Sequence, residues 1–279
     1  MTVRTLDVPV VADDGHRTVL QARIPDAPCA TLLWLGGMGI AARHFLPFAD
    51  AVAARGIAVF VHDWRGLGSS SARASRKHDW GYRELLMRDL PACEAAIAHT
   101  LPDLPRIVGG HSLGGQLASV RLGLAPESAQ ALWLVASGTP DWRTFPSPTR
   151  WWLPFAYRLL DGIAMVCGRL PGRRIGFGGE ESRGVIRDWS RTGLTGRYAA
   201  KDVDTDLEAA LRRVAVPIHA VRMAHDWLAP ASSLQALLAK MPEAPARVTV
   251  LDHAAPGVRA DHYAWMKQPA ATVEALIAD

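Results

Sequence analysis

Five residues constrain this chain more than any others: Gly110-His111-Ser112-Leu113-Gly114. An apolar run, Ile107-Val108-Gly109, leads into them, and a helix-like segment, Gln116-Leu117-Ala118-Ser119-Val120-Arg121-Leu122, leads away. G-x-S-x-G between a strand-like and a helix-like run is the pattern of a nucleophile elbow, a sharp turn that lifts a serine hydroxyl above a sheet. The turn strains the serine backbone. Cβ atoms two residues to either side would collide with the neighbouring strand and helix, so glycine is needed at both positions.

The rest of the sequence has to supply a sheet for that turn. With 279 residues, 49% of them apolar, and a mean hydropathy of +0.05, the chain can bury the core of one large domain or of a domain with an insertion. Residues 3–11 and 18–24 flank Asp13-Asp14-Gly15 and predict a β-hairpin. Ala30-Thr31-Leu32-Leu33-Trp34-Leu35 reads as a buried strand ending in Gly36-Gly37-Met38-Gly39, followed by an Ala-rich helix to about Arg55 that Gly56 caps. Strands are predicted at Ile57–Val61 and Ala131–Ala136, with a helix over roughly 80–100 between them. After Ser137 the alternation stops. Residues 139–200 are rich in Trp, Pro, Gly and Arg, with one helix expected between Pro148 and Leu170 and no evident strand. So long an insertion in a compact domain is usually functional, and it reads as a cap over the site. The alternation resumes with a helix near 204–213, a strand at Val216–Val221, a helix at 231–241, a strand at Arg247–Leu251 and a C-terminal helix. The order β-α-β-α argues for a parallel sheet with right-handed crossovers. The division expected is a core of residues 1–138 and 201–279 with a cap of residues 139–200.

Composition excludes several classes. The charge is +4, from 31 basic and 27 acidic residues that are mostly interspersed, so no nucleic-acid partner is expected. The longest apolar stretch, Trp151 to Cys167, is interrupted by Pro154, Arg158 and Asp161, so no stable membrane insertion is expected. Cys29, Cys93 and Cys167 are scattered without metal-ligand spacing and read as buried free thiols. With no apolar leader at the N-terminus, the expected location is the cytoplasm. Association into a homodimer stays open.

A serine hydroxyl needs a histidine base, and the histidine needs a third group to fix its tautomer. In open α/β sheets functional residues gather beyond the carboxyl ends of the strands. Two later strand ends offer partners for Ser112. Asp226, in His225-Asp226-Trp227, follows one strand, and His262, in Asp261-His262-Tyr263, lies on the loop after the last strand. His253 follows that strand too closely to reach over the sheet, and Asp252 and Asp261 are secondary candidates for the acid. The developing oxyanion needs two backbone N–H donors, for which Leu113 and Met38 are the candidates. Gly37-x-Gly39-x-x-Ala42 with Asp63 also fits a loose dinucleotide fingerprint, but that reading leaves the elbow and the late Asp and His unused. Asp63 and Arg65 are expected to tie their loop with charge-assisted hydrogen bonds, and His111 to be a packed neighbour of the nucleophile. Trp142, Trp151, Trp152, Phe155, Tyr157 and Phe177 either pack the insertion or line an apolar acyl pocket.

The Gly36–Gly39 loop, Asp63-Trp64-Arg65-Gly66-Leu67-Gly68-Ser69, Gly110–Gly115, Asp226 and His262 together resemble the α/β-hydrolase superfamily, over nearly the whole chain. Where many members carry His-Gly in the donor loop, this chain has Gly36-Gly37. The resemblance implies an eight-stranded, mostly parallel sheet flanked by helices, with a helical cap, and a serine hydrolase of the esterase, monoacylglycerol lipase or serine aminopeptidase-like branches. The expected substrate is a small carboxylic ester with a hydrophobic acyl or alcohol group, cleaved through an acyl-enzyme on Ser112 without metal or organic cofactor. A thioesterase or an acyltransferase would use the same groups, and a non-catalytic small-molecule receptor could be built on the same fold.

Overall fold

Two of the apolar runs, Ala30–Leu35 (β3) and Ile57–His62 (β4), are buried along their whole length, as strands covered on both faces must be. In the computed structural model, which describes residues 2–278, they lie at the centre of an eight-stranded sheet. The others are β1 (Val3–Val11), β2 (Arg17–Pro25), β5 (Arg106–His111), β6 (Ala131–Val135), β7 (Ile218–Met223) and β8 (Ala246–Leu251). Their order is β1-β2-β4-β3-β5-β6-β7-β8. The β1/β2 and β2/β4 pairs are antiparallel and all others parallel. Alternate residues feed two cores. Leu33, Leu35, Phe60, Val108 and Leu134 pack on one face, and Leu32, Trp34, Val59, Trp133 and Val135 on the other.

Register then sets the position of the site. Leu35 pairs with Gly110, His111 with Val135, Val135 with Val221, and Met223 with Leu251. The carboxyl ends of β3, β5, β6, β7 and β8 therefore share one edge, and the loops leaving them converge.

The helices depart from expectation in three places. The helix after β3 opens with a 3₁₀ turn, Ala42–Phe45, before α1 (Leu46–Ala53). The helix expected over 80–100 contains a π-turn at Leu85–Asp89, where Leu90 N–H reaches back to Leu85, ahead of α2 (Leu90–Thr100). Pro91 explains it: proline has no N–H and its ring crowds the carbonyl four residues earlier, so the helix widens. The segment expected near 204–213 is helical only at Leu207–Leu211, where Asp206 accepts from the N–H groups of Glu208 and Ala209.

The elbow helix is α3 (Leu113–Leu124). Between β6 and β7 the chain leaves the sheet. The expected helix is there as α4 (Thr149–Cys167), but a second, α5 (Arg183–Thr195), was not legible because Gly184 and Gly193 interrupt its pattern. Those glycines are where it packs. A Cβ at Gly193 would stand 2.5 Å from the Tyr157 ring, and one at Gly184 would stand 2.4 Å from the Trp80 carbonyl. A two-residue strand pair, Leu170–Pro171 with Glu180–Glu181, corrects the strandless reading of this segment. No helix among the described residues is long and apolar enough to cross a membrane. Cys93 is buried, but Cys29 and Cys167 are exposed, one before β3 and the other at the end of α4, which corrects their reading as core thiols.

Asp63 and Arg65 do tie their loop, though through separate partners. Asp63 accepts from Ala42 N–H (2.8 Å) and Ser69 N–H (2.9 Å), so its oxygens are filled and it is fully buried. Arg65 donates to Asp89 (2.7 Å) and Asp14 (2.8 Å), and His16 lies 3.2 Å from Asp89. Burial pushes the Asp89 carboxyl upward, but the hydrogen bonds from His16 and Arg65 outweigh it and hold the pKa below the usual value. Removing one partner of a buried ion pair strands the other. Asp89→Ala should therefore lower stability in urea unfolding by about 3–5 kcal/mol, and a loss below about 1 kcal/mol would show that solvent takes over the carboxylate's role.

Candidate active site

Ser112 sits between β5 and α3 with φ +53° and ψ −122°, in the positive-φ region that non-glycine residues rarely occupy. Its neighbours make the turn possible. A Cβ at Gly110 would stand 2.4 Å from the Gly114 carbonyl carbon, and one at Gly114 would stand 2.1 Å from the Leu35 oxygen. The turn is held by Ser112 N–H donating to Val135 (3.1 Å) and by the Ser137 hydroxyl donating to the Ser112 carbonyl (2.8 Å). Sequence reasoning did not find Ser137.

Asp226, buried at the end of β7, lies with its Oδ2 2.7 Å from His262 Nδ1. Its other oxygen accepts from Leu228 N–H (2.8 Å) and Ala229 N–H (3.1 Å), so the carboxylate is fixed at both ends. A carboxylate only accepts, so this contact places the imidazole proton on Nδ1 and leaves the Nε2 lone pair free. His262 and Ser112 line one cavity. The alternatives fall elsewhere: His253 begins a short surface hairpin, and Asp261 caps Tyr263 and Ala264.

His111 supports His262 from beneath. Its Nε2 is 3.0 Å from the His262 carbonyl, and the Trp265 indole donates to the same oxygen (3.2 Å). Burial, with the His262 ring beside it, drives the His111 pKa well below the ordinary value. The ring is therefore neutral, with its proton on Nε2 toward the carbonyl. Gly37 covers the bare Nδ1, and a Cβ there would stand 2.8 Å from it.

The Gly36–Gly39 loop lies between this pair and the insertion. Leu113 opens α3, where a backbone N–H has no carbonyl one turn earlier. Met38, with Leu113, lines the cavity. A side chain at Gly36 would meet the Phe45 ring at 2.9 Å, so Phe45 fills the space that a histidine there would need. Gly39, at φ +76°, packs backbone to backbone against the insertion: its Cβ would stand 2.2 Å from Gly179 N. That leaves no room for a pyrophosphate, and with Asp63 occupied the dinucleotide reading fails. Among the described residues no cluster of His, Cys, Asp or Glu is arranged to hold a metal ion.

The cavity encloses about 500 Å³, within the usual range for small-molecule sites. Apart from His262 its lining has no ionisable acid or base other than the phenols of Tyr157 and Tyr263. Of the six aromatic residues offered as packing or pocket lining, Trp152, Tyr157 and Phe177 line it. Trp142, Trp151 and Phe155 do not. Trp142 packs against the Phe145–Leu153–Tyr157 cluster, while Trp151 and Phe155 face outward. Helical periodicity is the reason, since Leu153, Tyr157 and Ala164 take the inward face of α4. Phe177 and Trp189 complete the roof, and Trp189 was missed along with α5.

One buried carboxyl joins roof to loop. Glu181 accepts from Gly179 N–H (3.0 Å) and from Gly39 N–H, and burial nonetheless pushes its pKa up to about 7.

Residues 26–255 match the model of a family described as serine aminopeptidase, S33. The chain belongs to that family. Its members are α/β hydrolases, which accounts for the sheet order described above. No curated protein sequence matches the chain. Among solved structures it is similar to a hydrolase from Pseudomonas aeruginosa (TM-score 0.65, 18% identity, covering 99% of this chain and 97% of that one). A thioesterase domain from the curacin biosynthetic pathway is similar over the full length of both chains (TM-score 0.63, 18% identity). So is a thermophilic esterase from Thermogutta terrifontis (TM-score 0.64, 14% identity, 98% and 96%). At such identities the likeness is one of fold.

Glu181 gives the site a measurable signature. The usual carboxyl value is 4.5, and the folded value is about 7. The folded chain therefore holds this proton more tightly, and the stability so gained is full below pH 4.5 and lost as pH rises through 7. Glu181→Gln should remove that slope, the two proteins differing by on the order of 3 kcal/mol across the window. Parallel stability–pH curves for the two would refute the burial-driven shift.

Proposed function

We propose that the protein hydrolyses an uncharged carboxylic ester with a hydrophobic acyl or alcohol group. The observation that carries this reading is the charge-free, largely apolar cavity directly above Ser112 and His262. The S33 description names aminopeptidases, and an aminopeptidase has to hold the substrate's terminal ammonium. Burying that cation without a carboxylate partner would be costly, and neither Asp nor Glu lines the cavity. An ester makes no such demand.

In this reading the chemistry runs through Ser112, His262 and Asp226. His262 Nε2 takes the proton of the Ser112 hydroxyl as its oxygen attacks the ester carbonyl, and the imidazolium so formed is stabilised by Asp226. The carbonyl oxygen becomes an oxyanion, which the N–H groups of Leu113 and Met38 receive. The intermediate collapses and the C–O bond to the alcohol breaks, with His262 returning the proton to the leaving oxygen. Water then attacks the acyl-enzyme by the same route, releasing the acid and restoring Ser112. Residues 139–200 act as the cap, excluding water and contacting the apolar group through Trp152, Phe177 and Trp189. Neutral His111 holds the His262 backbone without competing for the proton.

Ser112→Ala should lower turnover of p-nitrophenyl esters by about 10,000-fold or more and abolish labelling by a fluorophosphonate, with unfolding unchanged. Full turnover in that variant would refute the assignment. Across graded acyl lengths, kcat/KM should rise from acetyl toward medium chains as apolar area is buried. Hydrolysis of aminoacyl anilides at rates matching the best ester would instead favour the aminopeptidase reading, and acyl-CoA preferred over every oxygen ester would favour a thioesterase.

A further inference from the structure

The outer face of α4 is apolar where a surface helix is normally charged. Trp151, Phe155 and Val166 are 67%, 70% and 70% exposed, and Trp152, Leu159 and Met165 are exposed beside them. They form a stripe opposite the inward Leu153, Tyr157 and Ala164. Contiguous apolar surface of this kind marks an interaction site.

The stripe runs into the cavity. Trp152, Leu159 and Ile175 are both exposed and part of the cavity lining, as is Trp227 on the core side of the mouth. An apolar group could pass from this surface to Ser112 without crossing charged protein.

The charges around the stripe identify what it meets. Residues 139–200 carry ten arginines, no lysine and five acidic residues, an excess of +5 against +4 for the whole chain, so the remainder is at −1. Arg158 lies within the stripe and Arg173 and Arg174 adjoin Ile175. All three are exposed and without an ion-pair partner among the described residues. The Arg150 guanidinium lies 4.9 Å from the Trp151 ring centroid. Aromatic and aliphatic side chains on one face with arginines among and beside them are the composition of a helix lying at a lipid interface. A second copy fits less well, because a two-fold contact through this face would bring the same arginines together.

We propose that the α4 face docks on an anionic phospholipid bilayer, with Trp151, Phe155 and Val166 entering the interface and Arg158, Arg173 and Arg174 meeting lipid phosphates. The cavity mouth then opens onto the acyl-chain region, so the ester taken up is a lipid drawn from that surface. This last point rests on the ester reading; the docking does not.

The test is vesicle flotation of the full chain, with phosphatidylcholine alone or with about 30% phosphatidylglycerol. The protein should float with the anionic vesicles at least tenfold more than with the neutral ones, roughly, and lose that binding at high salt. Trp151→Ser/Phe155→Ser/Val166→Ser and, separately, Arg158→Gln/Arg173→Gln/Arg174→Gln should each weaken flotation by about tenfold or more. Both variants should keep turnover of a short, soluble p-nitrophenyl ester within about twofold, since none of these side chains lines the cavity. Failure of the unaltered protein to float, or undiminished flotation of both variants, would overturn the proposal. So would self-association of the unaltered protein that the apolar substitutions abolish, because it would assign the face to a second copy. Flotation without any soluble-ester turnover would refute the ester reading and leave the docking standing.

Discussion

The site depends on how closely α3 approaches the end of β3. With no Cβ at Gly114, the first turn of the helix lies against the Leu35 and Gly36 carbonyls, at separations a side chain would close to 2.1 and 2.6 Å. That contact sets the first turn of α3 against the start of the Gly36–Gly39 loop, next to Ser112 at its positive φ. A single methyl group at residue 114 would force the helix away from the strand and carry Ser112 away from the Gly36–Gly39 loop.

Much of the remaining structure holds backbone in place around that contact. The Asp63 carboxylate binds the start of the 3₁₀ turn after the donor loop as well as its own loop. His111 and Trp265 share the His262 carbonyl, so His262 is fixed through its main chain as well as through Asp226. The buried polar groups here act mainly on peptide groups. That suits the proposed oxyanion donors, which are N–H groups that no side-chain rotamer can adjust.

The sheet was largely legible from sequence because buried parallel strands are nearly continuous apolar runs, as in Ala30–Leu35 and Ile57–Val61. The candidate site residues were legible because chemistry restricts them to the carboxyl ends of such strands, and the structure brings Ser112, Asp226 and His262 to one edge. Features that depend on tertiary packing were not legible. Helix α5 carries Gly184 and Gly193 because Trp80 and Tyr157 press on it, and on local pattern those glycines read as breaks. Trp151 and Phe155 could not be told from Trp152 and Tyr157 until α4 had a fixed rotation. Glu181 had no signal at all: a Glu-Glu pair in a glycine-rich loop reads as surface, and only the fold buries one of the two.

The backbone contact between Gly39 and Gly179 also bears on how such a site can diverge. Two glycines from segments 140 residues apart meet with no side chain between them, and Glu181 spans both. The Gly36–Gly39 loop and the segment packed on it therefore form one structural part. The outward face of α4 takes no part in this junction, so substitutions there leave it intact. A foreign insertion grafted onto this sheet would instead have to bring its own counterpart to Gly39, or the Gly36–Gly39 loop would lose its support even with Ser112, Asp226 and His262 in place.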